Sequence, residues 1–239
     1  MPKPLDAIKA LACDVFGTVV DWHGSIVREA AAFGATLGLT VDWSRFVDAW
    51  MAGNRQHIEQ VRQRALPWTT LDAIHRLVLA DVLKQFGITG LSTAETDHLH
   101  RVWHRLTPWP DAVEGLTRLR QRFILAALSN GNMALLTNMA KYAGLPWDCI
   151  LSAELAQQYK PHPAVYQTAV ELLGLEPEEV MMVAAHAWDL HAAQAVGCRT
   201  ALVYRPQVSG PVHAAQATPP LLFDVCANDL NDLADKLAG

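Results

Sequence analysis

The chain has 239 residues, a formal net charge of −5 and an apolar content of 51%. That length suits one large α/β domain, or a core domain that carries a smaller insertion. The acidic balance and the lack of a Lys/Arg stripe argue against a nucleic-acid groove, and no window reaches the roughly 18 apolar residues of a membrane span. We therefore expect small-molecule partners, and neither nucleic acid nor a membrane.

The amino-terminal sequence MPKPLDAIKA lacks the apolar core of a signal peptide, so we expect a cytoplasmic protein. Cysteine usage agrees with a reducing compartment, because Cys13, Cys149, Cys198 and Cys226 lie far apart and form no CxxC pair. We expect them to be buried free thiols.

The first predicted strand covers residues 8–13 and runs directly into Asp14. A carboxylate at the carboxyl end of a buried parallel strand, followed by a Gly-Thr turn with exposed N–H groups, commonly presents a nucleophile to a ligand. Two residues further on stands Phe16, where an acid could exchange protons or share a metal ion and a phenyl ring can do neither. The pattern favours chemistry by one lone carboxylate.

Between residues 21 and 107 the apolar residues recur at helical spacing, as in WSRFVDAWMAGNRQHIEQVRQRA, and no segment resembles a strand. We interpret this region as a helical cap domain inserted after the first strand. The two prolines of TPWPDA, residues 107–112, mark the return to the core. The expected domains are a core of residues 1–20 and 108–239 and a cap of residues 21–107.

The second half alternates short apolar strands with helical stretches, which indicates a parallel sheet covered on both faces. With the first strand it gives about six strands, a usual size for a doubly wound α/β fold. The predicted strands are FILAALS (123–129), CILSA (149–153), EVMMVAA (179–185), TALVY (200–204) and LLFDV (221–225). VSGPVHAAQATPP (208–220) is expected to be an irregular loop.

Polar clusters follow several of these strands. LSNGN places Ser129 and Asn130 before a glycine turn, where a hydroxyl, an amide and N–H groups can hold an anion; helix capping by the asparagines is the simpler interpretation of this motif alone. YKPHPAVY places Lys160 before a proline and Tyr166 six residues on. Lys160 can reach into a cleft beside a carboxylate, or lie exposed in a loop.

The last cluster, VAAHAWDL, brings His186, Trp188 and Asp189 to the end of another strand. Asp189 could cap the following helix, and His186 could be a structural histidine at the edge of the sheet. All the clusters nevertheless occur in order, each at the carboxyl end of a predicted strand, where ligands bind in such sheets. Their joint arrangement predicts one site around Asp14.

The series DxxGT, SN, KPxPxxY and WD resembles the haloacid dehalogenase superfamily, specifically its L-2-haloacid dehalogenase (type II) branch, over nearly the whole chain. Phosphatases of that superfamily carry a second aspartate at the position of Phe16 and an acidic pair in the last motif, of which only Asp189 is present. The resemblance implies a Rossmann-like core with a helical cap, no metal or other cofactor, and a possible homodimer.

The resemblance also implies a hydrolytic dehalogenase that converts (S)-2-haloalkanoic acids to 2-hydroxy acids and halide through a covalent aspartyl ester. In that mechanism Asp14 attacks C2, Lys160 pairs with the nucleophile, and Asp189 or His186 activates water. Halide is a weakly basic leaving group that needs no proton, so no acid is required at position 16. The residues that match substrate-contacting positions are Val15, Phe16, Thr18, Ser129, Asn130, Tyr166 and Trp188. Among them, the resemblance implies that Asn130 helps to receive the halide.

The chain departs from the family pattern at the halide site and in the last motif. Met51 stands where the family places a halide-binding arginine, and Arg55, one turn further on, points about 40° away around the helix. Ala184 and Ala185 replace hydroxyl residues and His186 replaces an asparagine, as in a variant subgroup in which an imidazole would activate the water. The halide-binding residue stays open at this point.

Two other functions also stay open: a superfamily phosphatase with a degenerate metal site, and a non-catalytic ligand-binding relative. A separate feature, the i, i+4 spacing of His100 and His104 with His98 nearby, superficially fits metal ligation. No third ligand at a suitable spacing completes such a site, so we expect a solvated helix face there.

Overall fold

The computed structural model describes residues 5–205 and 222–238. Its strands are β1 (Ala10–Cys13), β2 (Val20–Asp21), β3 (Thr107–Pro108), β4 (Ile124–Ser129), β5 (Cys149–Ser152), β6 (Val180–Ala184), β7 (Arg199–Val203) and β8 (Val225–Ala227). Its α-helices are α1 (Trp22–Thr36), α2 (Trp43–Arg62), α3 (Leu71–Gln85), α4 (Thr93–His100), α5 (Ala112–Arg120), α6 (Met133–Ala143), α7 (Ala153–Ala156), α8 (Pro163–Leu173), α9 (Ala187–Val196) and α10 (Leu230–Ala238). Short 3₁₀ helices cover Leu5–Ala7, Arg101–His104 and Pro177–Glu179.

Six parallel strands form the central sheet in the order β5-β4-β1-β6-β7-β8. Both faces of β1 are buried: Leu11 and Cys13 join one apolar cluster, and Ala10 and Ala12 join the other. Strands covered on both faces need apolar residues at every position, which is why they could be recognised as uninterrupted apolar runs. The predicted doubly wound α/β fold is confirmed, with β1 at its centre.

The segment between β2 and β3, which we call the helical insertion (residues 22–104), is built from α1 to α4 and one 3₁₀ helix. Side chains of Asp21, Asp42, Thr70 and Ser92 accept hydrogen bonds from the first turns of its four α-helices and so define where each begins. β2 and β3 pair antiparallel at the two ends of the insertion. The sequence did not predict these two-residue strands. None of the described helices has the length and apolarity of a bilayer span.

The end of the predicted sheet needs correction. The last strand covers Val225–Ala227, not residues 221–225. Asp224 explains the shift, because its carboxylate accepts hydrogen bonds from the Thr200 backbone N–H at 2.8 Å and from Arg199 at 2.6 Å, which fixes the chain before β8 begins. Residues 208–220, expected to be a loop, lie outside the described part.

The expected solvated face at His100 and His104 is also wrong, because both side chains are buried. Their Nε2 atoms lie 3.2 and 2.9 Å from Oδ1 of Asp72 in α3. Nδ1 of His104 accepts from Asn138 of α6 at 3.0 Å, and the Asp72 backbone N–H donates to Asn132 at 3.1 Å. The cluster therefore joins the helical insertion to the core.

This cluster gives a stability prediction with a defined pH dependence. Although partial burial opposes it, hydrogen bonds from His100 and His104 hold the pKa of Asp72 below its usual range. A depressed carboxyl pKa contributes stability that is complete above the unfolded value of about 4 and is lost as the pH falls below it. We expect Asp72→Asn to lower the free energy of unfolding by about 1–3 kcal/mol at pH 7.

Urea unfolding at several pH values measures this effect. The difference between wild type and Asp72→Asn should shrink below pH 4. Asp81→Asn, on the exposed side of α3, is the matched control and should change stability little. A deficit in Asp72→Asn that stays constant from pH 7 to pH 3.5 would contradict the assignment.

Candidate active site

A pocket of about 540 Å³ lies at the carboxyl ends of β1, β4 and β6, where the helical insertion meets the core. This position follows from topology, since the loops after neighbouring parallel strands converge on one edge of the sheet. The core contributes Asp14, Phe16, Ser129, Asn130, Lys160, Pro161, His186 and Trp188, and the insertion contributes Trp22, Met51, Asn54, Arg55, Ile58 and Trp103 among others.

Asp14 follows β1 directly, and only 6% of its surface is exposed. Its Oδ2 accepts a hydrogen bond from the Thr18 hydroxyl at 2.7 Å, and its Oδ1 lies 3.4 Å from Nζ of Lys160. The Thr18 oxygen also accepts the Ala185 backbone N–H at 2.9 Å, which ties the loop after β1 to the loop after β6. Gly17, at a φ of +84°, lets the chain turn tightly between Asp14 and Thr18.

Several donors near Asp14 remain available to an anion. The backbone N–H groups of Val15 and Phe16 donate to no backbone carbonyl within residues 5–205 and 222–238, and Phe16 of the two lines the pocket. Ser129 is fully buried at the end of β4, and its Oγ accepts the Gly131 N–H at 3.3 Å, so its own hydroxyl proton can be donated elsewhere. Together these groups can bind a carboxylate.

The two asparagines after β4 do not cap α6 with their side chains, contrary to the simpler interpretation of the motif. Oδ1 of Asn130 accepts the Lys160 backbone N–H at 2.8 Å, which leaves its Nδ2 donors free to face the pocket. Asn132 bonds instead to Asp72, and the Met133 N–H is satisfied by Glu154 at 2.8 Å.

Lys160 lies between two carboxylates and is only 3% exposed. Its Nζ is 2.7 Å from Oδ2 of Asp189 and 3.4 Å from Oδ1 of Asp14. An ammonium group this deeply buried is costly unless it is paired, and here it has a partner on each side. The structure thus brings Asp14, Lys160 and Asp189 together and does not place Lys160 in an exposed loop.

Asp189 is fully buried in the first turn of α9, and both of its oxygens are occupied. Lys160 binds Oδ2, and the Tyr166 hydroxyl donates to Oδ1 at 2.5 Å. Burial raises the pKa of Asp189, whereas the Lys160 ammonium and the two hydrogen bonds counter that rise. Burial and the Asp189 charge also raise the pKa of Tyr166, which keeps its hydroxyl protonated as a donor.

Asp189, Tyr166 and Thr18 therefore act behind the pocket wall, since none of them lines it. The geometry does not support the expected contact of Tyr166 and Thr18 with substrate, nor activation of water by Asp189. Each instead holds Asp14 or Lys160 in place. Asp189 does not cap α9 either, because both of its oxygens bind side chains of other elements.

His186 lies directly beside the nucleophile candidate. Its Nε2 is 3.7 Å from Oδ2 of Asp14 and 3.1 Å from the Phe16 carbonyl oxygen. Its ring stacks on Trp188 at a centroid distance of 5.6 Å, and Trp188 is 47% exposed at the edge of the pocket. The resemblance to the family named Asp189 and His186 as the residues that could activate water. Of these two, His186 alone faces the pocket.

Asn54 and Trp103 line the pocket from the helical insertion. A cap tryptophan in the pocket could be expected from the sequence, whereas Asn54 was not among the predicted site residues. A usable signal existed for Asn54. It stands four residues after Trp50 on the apolar face of α2, where the other buried residues are aromatic or aliphatic. A single amide on such a face is unusual and could have been identified as a candidate contact.

The fold and the pocket define an α/β protein with a small-molecule site at the switch between β1 and its neighbours. The model of the haloacid dehalogenase-like hydrolase family matches residues 8–197, so the chain belongs to that family. It is 31% identical over 214 residues to (S)-2-haloacid dehalogenase 4A of Burkholderia cepacia, covering 84% of this chain and 85% of the relative.

Two solved structures extend this similarity to nearly the full length. The defluorinating L-2-haloacid dehalogenase Rha0230 is 41% identical, with a TM-score of 0.94 and coverage of 100% of both chains. The L-2-haloacid dehalogenase PA0810 is also 41% identical, with a TM-score of 0.91 and coverage of 97% of this chain and 99% of that one.

The charge balance around Lys160 leads to a test by substitution. We expect Asp189→Asn to lower the free energy of unfolding by about 3 kcal/mol, because it removes the closer partner of a buried ammonium. Adding Lys160→Met should restore much of that stability, since it removes the orphaned charge, without restoring activity. Tyr166→Phe is the milder control. Thermal and urea unfolding of the four proteins measure this, and a double variant no more stable than Asp189→Asn would contradict the charge argument.

Proposed function

We propose that the protein hydrolyses (S)-2-haloalkanoic acids to 2-hydroxy acids through a covalent ester on Asp14. The observation that carries the proposal is a lone buried carboxylate, held by Thr18 and Lys160, in a pocket where Phe16 replaces the second acid. The similarity to (S)-2-haloacid dehalogenases supports it. Residues 21–107 would act as the cap that closes this site against the core.

In the first half-reaction an Asp14 oxygen attacks C2 of the substrate. The new C–O bond forms as the C–halogen bond breaks, and the halide leaves with the bonding electron pair from the opposite side, which inverts C2. The Ser129 hydroxyl and the N–H groups of Val15 and Phe16 would hold the substrate carboxylate, so that C2 lies in line with the nucleophile. The Phe16 ring keeps water away from the attacking oxygen.

In the second half-reaction water attacks the carbonyl carbon of the Asp14 ester. His186 is the group nearest to take the proton of that water, since its Nε2 lies 3.7 Å from Oδ2 of Asp14. For this step Nε2 has to leave the Phe16 carbonyl oxygen, 3.1 Å away, because a carbonyl accepts a hydrogen bond only from a protonated nitrogen. Lys160 and the Thr18 hydroxyl can stabilise the negative charge that develops on the carbonyl oxygen. Collapse of the intermediate releases the 2-hydroxy acid and regenerates the Asp14 carboxylate, with one proton lost to solvent.

The main experiment measures halide release from a panel of 2-chloro-, 2-bromo- and 2-fluoropropionate and fluoroacetate, with EDTA present. We expect chloride and bromide release by wild type, and a loss of about a thousandfold or more in Asp14→Asn, which lacks the nucleophile. A phosphatase would instead release phosphate from p-nitrophenyl phosphate with added Mg²⁺. A variant Asp14→Asn that retains halide release would refute the proposal.

The role of His186 is tested by following the enzyme's mass during turnover. We expect His186→Asn to slow hydrolysis of the ester by about 10²- to 10⁴-fold, the usual contribution of a general base. Intact-mass spectrometry should then show an adduct with the mass of the acyl group. Trp188→Phe keeps the stacking contact and serves as the control, in which no adduct should build up. An unmodified His186→Asn protein that turns over at the wild-type rate would exclude this role.

We further propose that the protein works in a reducing compartment such as the cytoplasm, because all four cysteines are free thiols. Cys13 and Cys198 are buried as expected, whereas Cys149 and Cys226 are only partly buried. The homodimer implied by the resemblance stays a prediction, which sedimentation of the purified protein can examine.

A further inference from the structure

One side of the pocket is formed by the core and the other by the helical insertion. This determines the direction in which a leaving group departs. Asp14 and the proposed carboxylate donors belong to the core. In displacement at a saturated carbon the leaving group departs on the side opposite the attacking oxygen, so a substrate held by the core directs its halogen at the helical insertion. Met51, at the position of the family's halide-binding arginine, offers that halogen no hydrogen-bond donor.

Asn54 is a buried amide on this side of the pocket. It lies on α2, it is 1% exposed, and neither its Oδ1 nor its Nδ2 has a hydrogen-bond partner among the described residues. Leaving such a group unpaired inside a protein is costly, and native structures seldom do so without a reason. An anionic ligand in the pocket would give the Nδ2 donors their partner.

Trp103, in the 3₁₀ helix Arg101–His104, is a second buried side chain with an unpaired hydrogen-bond donor. It is 1% exposed, and its Nε1–H has no acceptor in the described part of the chain. The indole cannot turn away, because it stacks on His75 at 4.0 Å and meets the edges of Phe16 at 6.1 Å and Trp50 at 5.5 Å. Its N–H is therefore fixed in direction before any ligand arrives.

Two other tryptophans of the described ranges have a partner for their indole N–H. The indole N–H of Trp50 donates to the His75 carbonyl at 2.9 Å, and that of Trp109 donates to the Gly17 carbonyl at 3.0 Å. Of the buried side-chain atoms that lack a partner within the described ranges, those of Asn54 and Trp103 alone belong to residues that line the pocket. Unpaired buried atoms of the described residues also occur outside the pocket, at His75 and Asn231, but only Asn54 and Trp103 can offer theirs to a ligand in it.

We propose that Nδ2 of Asn54 and Nε1 of Trp103 donate hydrogen bonds to the departing halide and so act as catalytic residues of the first half-reaction. This proposal rests on the proposed dehalogenase function. As the C–halogen bond breaks, negative charge develops on the halogen, and two fixed donors shielded from water stabilise it without reorganising. Arg55 lines the same pocket but is exposed, so its guanidinium stays hydrated and binds an anion more weakly.

Two substitutions remove the donors, and Trp103→Phe also shortens a buried ring. Asn54→Leu replaces the amide with an apolar group of similar volume, and Trp103→Phe removes the indole N–H but keeps an aromatic ring. The matched controls are Gln56→Leu on the exposed side of α2, and Trp68→Phe, whose ring stacks on Tyr159 outside the pocket. Neither control should alter halide release.

We expect each donor variant to lower kcat/KM for (S)-2-chloropropionate by about 10- to 100-fold, the usual effect of losing a hydrogen bond to a charged group. The loss should be smaller for 2-bromopropionate, since bromide is the better leaving group and needs less stabilisation. The inhibition constant of sodium bromide should rise about tenfold. Asn54→Leu should unfold at no lower temperature than Gln56→Leu, because no protein partner is lost.

The outcomes separate this proposal from the function on which it rests. Equal losses for both substrates, or no loss in either donor variant, would overturn the halide assignment while the dehalogenase function stands. If the wild-type protein releases no halide, the proposed function fails. The binding of bromide then tests whether Asn54 and Trp103 bind an anion. A thermal shift by sodium bromide in wild type that is absent in Asn54→Leu supports the donor pair, and equal shifts in both proteins refute it.

Discussion

The ammonium group of Lys160, buried between Asp14 and Asp189, is the interaction on which the rest of the site depends. It can be buried only because two carboxylates face it, and it fixes the position of each. Through Asn130 its backbone is attached to the loop after β4, and through Asp189 its side chain is attached to the start of α9. Loops that follow separate strands are thus all linked to Lys160.

This arrangement assigns different tasks to three positions of the sequence motifs, of which only two are acids. Asp14 faces the pocket, and Asp189 binds Lys160 and holds it in place. The third position is not an acid but Phe16. With Asp14 as the one buried carboxylate among the described residues that line the pocket, the site suits a leaving group that departs as a stable anion. In our proposal the helical insertion supplies donors for that anion through Asn54 and Trp103, in addition to the Nδ2 donors of Asn130 in the core.

The fold could be predicted because strands buried on both faces consist of uninterrupted apolar residues, as in β1 and β6. Asp14, Lys160 and His186 could be placed together because each follows or neighbours the end of a strand. Other features could not be predicted, since they depend on partners distant in the chain. Burial of His100 and His104 requires Asp72 and Asn138, and the inaccessibility of Asp189 requires Tyr166 and Lys160. The start of β8 depends similarly on where Asp224 finds its hydrogen bonds.

The most direct test of the central claim is turnover of (S)-2-chloropropionate in H₂¹⁸O, followed by mass spectrometry of the peptide that contains Asp14. If water attacks the ester carbonyl, the Asp14 carboxylate gains ¹⁸O, and the lactate formed in the first turnover carries an unlabelled hydroxyl from the enzyme. Should the first-turnover lactate carry the label while the Asp14 peptide stays unlabelled, water would have displaced the halide directly, and the account of Asp14 as nucleophile would be wrong.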